Sequence, residues 1–503
     1  MTRVRALPLA LIVTLAACDS AVQPLTPGLS VVSGDRVTDT IQSTPPQPLI
    51  VRVIGEQGEP LVGVEVAFAG GAFGGPGRYH TLAGPSPRPT DRDGFVSAII
   101  YLGTVAGEDS VTVTVPSLGL AAIARYTVRP GHAVGVAIDP PDTAVYVGGT
   151  VQLRGSVVDR GRNPVDGPVT YQTASAAAHL SGTTLTGVEV GRASVVGASG
   201  TFRDTSWVSV VPQGSAVAVL PHMVSNDTQR VVFFNFDGTG IHSFDVNYWA
   251  TPRPDWSPAG DVIALEDPGP FPGFNPRLIL GDLSGPKQRL VPDSVGLVSE
   301  SDPRYSADGS WIYFAGARPG ARPDIWRVRP DGTGAERLSG FSDYYYGAYQ
   351  PSPSPDGSRV AFTRNAVCCY DLLVYVLNTS TGAIDSLMHP DGTPTPGYMP
   401  RWSPAADVIA YGAHKAGESQ VYATIIWLID PDGSNPRPAS NTTDAYWPEI
   451  DWSPDGRWLI ASSYDDGVLH LIDTQTGLTL PLAFTKSLRQ PSWRRENLGT
   501  VTR

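Results

Sequence analysis

The sequence predicts an all-β chain, with two antiparallel β-sandwiches followed by a six-bladed β-propeller. Three observations lead there. Glycine (54) and proline (47) make up roughly a fifth of 503 residues with no strict short period, a composition that suits many short strands joined by tight turns. Between residues 49 and 212 apolar residues alternate at period two, with turn signals about every ten residues. From residue 216 onward one phrase recurs at a near-constant interval, the mark of a repeat architecture.

Length and charge narrow the function classes. A chain of 503 residues is too long for one core and long enough for three ordinary domains. The net charge of −12 is moderate and there is no lysine/arginine run, so nucleic acid is not an expected partner, because phosphate neutralisation needs clustered basic side chains. The acidity reads as solubility.

Residues 1–17 read as a signal peptide. Arg3 and Arg5 form a positive start, and Ala6 to Ala17 form an apolar stretch of 12 residues, too short to span a bilayer but suited to export. It ends in Leu15-Ala16-Ala17-Cys18, which resembles a bacterial lipobox. The resemblance implies cleavage before Cys18, diacylglycerol on its thiol and acylation of the new amino terminus. Two or more acyl chains give stable anchoring. An ordinary secretory signal with a coincidental cysteine is the alternative. Asp19 leaves the choice of membrane leaflet open. Residues 18–45, rich in Ser, Thr, Pro and Gly, read as the lipidated cysteine and a flexible tether. The other cysteines are Cys368 and Cys369. As neighbours outside the cytoplasm they are either a vicinal disulfide or two free thiols, and no spacing resembles a zinc site.

The first sandwich is expected over 46–130, with strands at Leu49–Val53, Gly63–Phe68, Phe95–Ile100, Ser110–Val115 and Ala122–Val128. Its phrases Glu59-Pro60-Leu61-Val62-Gly63-Val64 and Thr90-Asp91-Arg92-Asp93-Gly94 resemble the bacterial immunoglobulin-like repeats of invasin and intimin. Asp91 and Asp93 read as caps of a hairpin turn rather than calcium ligands, since no third carboxylate accompanies them. The second sandwich, over 131–212, carries Val145-Tyr146-Val147-Gly148-Gly149-Thr150-Val151-Gln152-Leu153 and Thr186-Gly187-Val188-Glu189-Val190-Gly191. These resemble the second group of bacterial immunoglobulin-like domains, with Tyr171 where that group usually has tryptophan. Neither sandwich carries an acid, base and nucleophile set, so both read as spacers or adhesive modules.

The repeat sets the rest of the chain. Pro254-Asp255-Trp256-Ser257-Pro258 returns as Pro303-Arg304-Tyr305-Ser306, Pro351-Ser352-Pro353-Ser354-Pro355, Pro400-Arg401-Trp402-Ser403-Pro404 and Trp452-Ser453-Pro454. From 256 to 305, 353, 402 and 452 the steps are 49, 48, 49 and 50 residues. A truncated sixth copy is Pro491-Ser492-Trp493. Interleaved glycine turns, six in all from Asp237-Gly238 to Thr476-Gly477 with Leu283-Ser284-Gly285 among them, suit tight hairpins because Asp-Gly and Thr-Gly tolerate left-handed backbone. Six turns mean six blades, each too small to stand alone, packed in a ring. Since the last copy stops at Trp493, strands near 216–246 must complete the sixth blade. The phrase resembles that of TolB-like propellers over residues 214–495, leaving a tail at 496–503.

In such a meander the Ser-Pro-Asp-Gly and Asp-Gly-Thr-Gly turns share one face, and the long, dissimilar loops share the other. Variable loops on a rigid scaffold are where binding usually lives. The candidate ligand face holds Tyr248, Trp249, Tyr344, Tyr345, Tyr346, Tyr349, Tyr398, Tyr446 and Trp447, which can stack on sugar rings or grip a peptide. The competing reading packs them blade against blade. Long inner loops add Phe271, Phe274, Tyr370, His414 and Lys415. Glu300, Asp302, Asp343 and Asp444 read either as an acidic rim or as ordinary solvated loop charges. His242, His389, His414 and His470 lie in different blades without metal-ligand spacing. Phosphate cradles, H-E-x-x-H and G-x-S-x-G motifs are missing, so no catalytic residue, metal or other cofactor is expected.

These features together predict a non-catalytic, membrane-anchored binding or scaffold protein of the bacterial envelope, on its periplasmic or cell-surface side. Its partner would be an envelope protein, as the resemblance to TolB suggests, or a glycan, with membrane contact through the lipid only. The alternatives are a propeller-type polysaccharide lyase or other carbohydrate-active enzyme, and an adhesin acting through its immunoglobulin-like domains.

Overall fold

A computed structural model describes residues 26–70, 81–83, 86–221, 229–246, 253–267, 275–341, 347–367, 371–413, 425–441 and 449–495. Among these residues the regular structure is β throughout, apart from three single-turn 3₁₀ segments. No helix there is long and apolar enough to cross a membrane. The chain divides into two compact units: residues up to Ala137 with Ser156–Val169, and Ile138–Gly155 with Thr170–Arg503.

In the first unit two sheets enclose one core. One contains Gly28–Ser33, Leu49–Ile54, Phe95–Tyr101 and Thr81–Ala83; the other contains Val37–Thr40, Leu120–Arg129, Gly107–Val115, Glu65–Gly70 and Arg88–Pro89. Alternation does the work: Leu49, Val51 and Val53 of one sheet, and Val111, Val113 and Val115 of the other, are fully buried, as period-two patterning requires. Asp91 caps its hairpin, its carboxylate accepting the Asp93 and Phe95 backbone N–H groups at 2.9 and 2.8 Å.

Residues 28–40 correct the tether expected over 18–45. Gly28–Ser33 pairs antiparallel with Leu49–Ile54, and Val37–Thr40 pairs parallel with Leu120–Arg129. Leu29, Val31 and Val37 pack against the first core. The turn-rich composition there hides a short alternation whose partners lie far along the chain.

The second unit joins small sheets to a six-bladed ring. Asp142–Tyr146, Phe202–Val211, Gly191–Ser199 and Thr170–Thr173 form one sheet, and Thr150–Gln152, Thr184–Gly187 and Ala178–Ser181 another. Each blade is a four-stranded antiparallel meander. Their inner strands, blades one to six, are Asp255–Trp256, Ser299–Tyr305, Ala348–Pro353, Tyr398–Trp402, Glu449–Trp452 and Arg489–Trp493. Each inner strand packs on the next, and the sixth returns to the first. Blade six closes the ring by pairing Arg489–Trp493, from the end of the chain, with Ser215–Leu220, which continues into Gln229–Asn235 and His242–Val246.

The small sheets are no loose spacer on this unit. Ala144 and Val211 share a buried cluster with Phe234, Phe236 and Trp493 of blade six and Leu480 and Leu482 of blade five, and Tyr146 and Val190 pack on it. The Tyr146 hydroxyl donates to the Gly214 carbonyl at 2.8 Å and the Ser209 hydroxyl to the Pro481 carbonyl at 2.9 Å. They brace the seam where the ring closes and cover the outer edge strand of blade five, an edge that would otherwise present unpaired backbone.

Candidate functional site

Inside the ring the inner strands point a ladder of side chains at the axis. At its upper level stand Arg253, Asp302, Gln350, Met399, Glu449 and Gln490, one per blade, and the channel there is walled by these residues. Five of the six share an unusual backbone: φ is +35° at Arg253, +56° at Asp302, +57° at Gln350, +52° at Met399 and +51° at Gln490. Each of the five precedes proline, which disfavours the right-handed helical region for its neighbour. In blades two, three and four the pairing register slips at this point. A bulge of this kind re-aims a side chain, and in these three blades it accompanies the residue that lines the channel.

The level is tied together around the ring. Asp302 accepts the Gln350 backbone N–H at 3.3 Å, Gln350 that of Met399 at 2.9 Å, Glu449 that of Gln490 at 2.9 Å, and Gln490 that of Arg253 at 3.2 Å. The Arg253 guanidinium closes on the Asp302 carboxylate. Behind Asp302, Glu266 accepts its backbone N–H at 2.6 Å. Burial pushes the Glu266 carboxyl up to about 8, with Arg253 pulling it down and Asp302 pushing it further up.

Two residues further along each inner strand lies a second level: Asp255, Arg304, Ser352, Arg401, Asp451 and Ser492. In alternate blades the side chain accepts a backbone N–H of the following blade: Asp255 from Tyr305 at 2.8 Å, Ser352 from Trp402 at 2.8 Å and Asp451 from Trp493 at 2.9 Å. Arg304 turns back to Asp255 at 2.5 Å. Arg304 and Arg401 wall both the cavity above and the cavity below, each about 20 Å³, room for about one water-sized species. The channel is therefore plugged at this level.

Of the sequence-predicted face, Tyr349 and Tyr398 are described. They occupy the same position in adjacent blades, one residue before the bulge residues Gln350 and Met399, and both are half-buried. Burial raises the Tyr349 hydroxyl above its ordinary range, with Arg322 opposing and Asp302 adding to the rise. Tyr248, Trp249, Tyr344, Tyr345, Tyr346, Tyr446 and Trp447 lie outside the described residues, as do Cys18, Cys368, Cys369, Asp343, Asp444 and His414.

Glu300 and Asp302 are neither an acidic rim nor solvated loop charges. They are 0 % and 7 % exposed. Glu300 accepts the Arg277 guanidinium at 2.8 Å and the Leu278 backbone N–H at 3.0 Å; buried carboxylates are held only with such partners. His242 is exposed, His389 half-buried, and His470 buried with its Nε2 2.8 Å from Asp466. Among the described residues no three His, Cys, Asp or Glu side chains gather so as to hold a metal ion.

Known proteins resemble this chain only in part. No family model matches it. A segment of 115 residues is 36% identical to the uncharacterized protein Atu1656 of Agrobacterium fabrum, covering 22% of this chain and 38% of that protein; the chain thus spans well under half of the curated relative it matches. TolB from Acinetobacter baumannii superposes with a TM-score of 0.44 at 16% identity, over 65% of this chain and 82% of that one. An oligogalacturonate lyase in complex with manganese gives 0.34 at 15% identity, over 54% and 72%. The solved structures similar to this chain thus include TolB-type propellers, and the ring itself is established by its own six sheets.

Proposed function

We propose that this chain is a non-catalytic binding or scaffold protein of the bacterial envelope, anchored by lipid on Cys18, whose propeller engages a protein or glycan on its long-loop face. The sandwich regions, of the immunoglobulin-like kind, position the ring. One observation carries the reading: the two faces of the ring differ in what they have left to offer a partner. On the hairpin face the turns spend their polar groups on themselves, as where Asp331 takes both the backbone N–H and the hydroxyl of Thr333 at 2.9 and 2.7 Å. On the other face Tyr349 and Tyr398 hold equivalent positions in adjacent blades, each half-buried and one residue before the rigid hydrogen-bonded level, and half-buried aromatics beside a fixed floor are what partner recognition uses.

The test compares the wild-type chain, a Tyr349→Ala/Tyr398→Ala variant and a hairpin-face control, Asp331→Ala. Each is used to capture partners from detergent-solubilised envelopes and is screened against a glycan panel. Loss of at least tenfold in binding by the tyrosine variant alone is expected. Equal binding by all three rejects the long-loop face.

A further inference from the structure

The second level of the channel contains an internal comparison. Arg304 in blade two and Arg401 in blade four hold the same position of the repeat, directly after Pro303 and Pro400. Arg304 finds its counter-ion one blade back, where Asp255 stands 2.5 Å away. One blade back from Arg401 the same position is Ser352, whose hydroxyl is already accepting the Trp402 backbone N–H at 2.8 Å. Arg401 is left with a single donated bond, from Nη1 to the Pro400 carbonyl at 3.0 Å. Its Nε is sealed from solvent and has no hydrogen-bond partner. Asp451, on the next blade, accepts the Trp493 N–H. Asp302 is engaged by Arg253 and Gln350.

Arg401 as a whole is half-buried, but its sealed Nε–H without an acceptor is costly, because a polar group taken out of water needs a partner within hydrogen-bond reach. Burial, and then the positive charge of Arg304, push Arg401 down to about 9, against the opposing pull of Asp451, Asp255 and Asp302, none of which is hydrogen-bonded to it. The cavities of about 20 Å³ on either side of this neck admit one small species each.

We infer that the channel neck binds a small monovalent anion of halide size, held by the Arg401 guanidinium in the place that a carboxylate at position 352 would fill. The anion would complete the alternation of acid and base around the second level. This site is separate from the long-loop face and stands or falls without it.

Two substitutions read it in opposite senses. Arg401→Met removes the donor set at nearly the same length. Ser352→Asp supplies the carboxylate that blade one has, and Asp255 shows that a carboxylate there can take both the neighbouring N–H and the arginine. The full chain is melted in sodium bromide and in sodium gluconate at equal ionic strength, and wild-type crystals grown in bromide are measured for anomalous scattering. The wild type is expected to show saturable bromide stabilisation and an anomalous peak beside Arg401 Nε. Ser352→Asp is expected to weaken bromide binding at least tenfold while melting higher than wild type in gluconate, and Arg401→Met to lose the bromide increment. Equal melting of wild type in both salts, a bromide increment that survives in Ser352→Asp, or density at Arg401 without anomalous signal, which means water, would each overturn the site. The diffraction result decides even where Arg401→Met does not fold.

Discussion

Blade six is assembled from the two ends of the propeller chain, so the ring should open first where its core is cut. Trp493→Ala makes that cut cleanly. The indole is 4 % exposed and meets Phe236 edge-on, with centroids 4.5 Å apart at 76°. It also belongs to the cluster that joins blade six, blade five and the small sheets. The backbone of residue 493 would keep its bond to Asp451 and its pairing with Ala216, so only side-chain packing is removed. Truncating a buried tryptophan costs about 3–5 kcal/mol, which is roughly a hundred- to several-thousand-fold in an opening equilibrium. Native-state hydrogen exchange localises it. Protection should fall by that factor in Arg489–Trp493 and Ser215–Leu220, and much less in the inner strand of blade three, Ala348–Pro353. An even loss across all six blades, or unchanged exchange in blade six, would refute the idea that ring closure rests on this seam.

Two further outcomes follow from buried polar groups. The Glu266 carboxyl is held neutral up to about pH 8 by burial, whereas in the unfolded chain it ionises near its ordinary value. Its contribution is therefore full below the unfolded-state value of 4.5, is lost as pH rises from there to about 8, and changes no further above that. Glu266→Gln keeps an acceptor for the Asp302 N–H, so melting curves of variant and wild type should diverge in favour of the variant between about pH 5 and 8, and parallel curves would refute the assignment. In the first unit, Asp159 is 1 % exposed and accepts the Gly131 and Asn163 backbone N–H groups at 2.7 and 2.9 Å and the Asn163 amide at 2.9 Å. Asp159→Ala orphans these donors and should cost about 3 kcal/mol, read as a shifted first transition in calorimetry; a shift worth under about 1 kcal/mol would mean the donors find other acceptors.

The ring was legible because its signal is local and repeated: a tryptophan, tyrosine or proline followed by serine and a tight turn, every 48 to 50 residues. The channel was written in the same phrases and passed unread. Arg304, Arg401, Asp255 and Asp451 all sit inside the repeat, but the residues that recur draw the eye to the fold, and those that change from copy to copy are the ones aimed at the axis. Position 302 and its equivalents vary as Arg, Asp, Gln, Met, Glu and Gln. Variation at a constant offset inside a regular repeat is the signal that points inward. The strands at 28–40 were hidden for another reason. Their pairing is long-range, Val37 lying opposite Tyr126, and no local pattern reports a partner so distant.

The two channel levels also constrain how a partner can act on this protein. On the upper level four side chains each satisfy the backbone of the next blade, so no one of them can swing towards a ligand without leaving an N–H unsatisfied in a half-buried site. Such a group costs about 1–3 kcal/mol when orphaned, which makes the level stiff. Binding on the long-loop face is then expected to proceed on a preformed floor, with little rearrangement of the inner strands. The floor's stiffness depends in turn on the ring staying shut, and the sheets that brace the blade-six seam do that. The small sheets of the second unit thereby support that floor from the outer strand of blade five and the core of blade six.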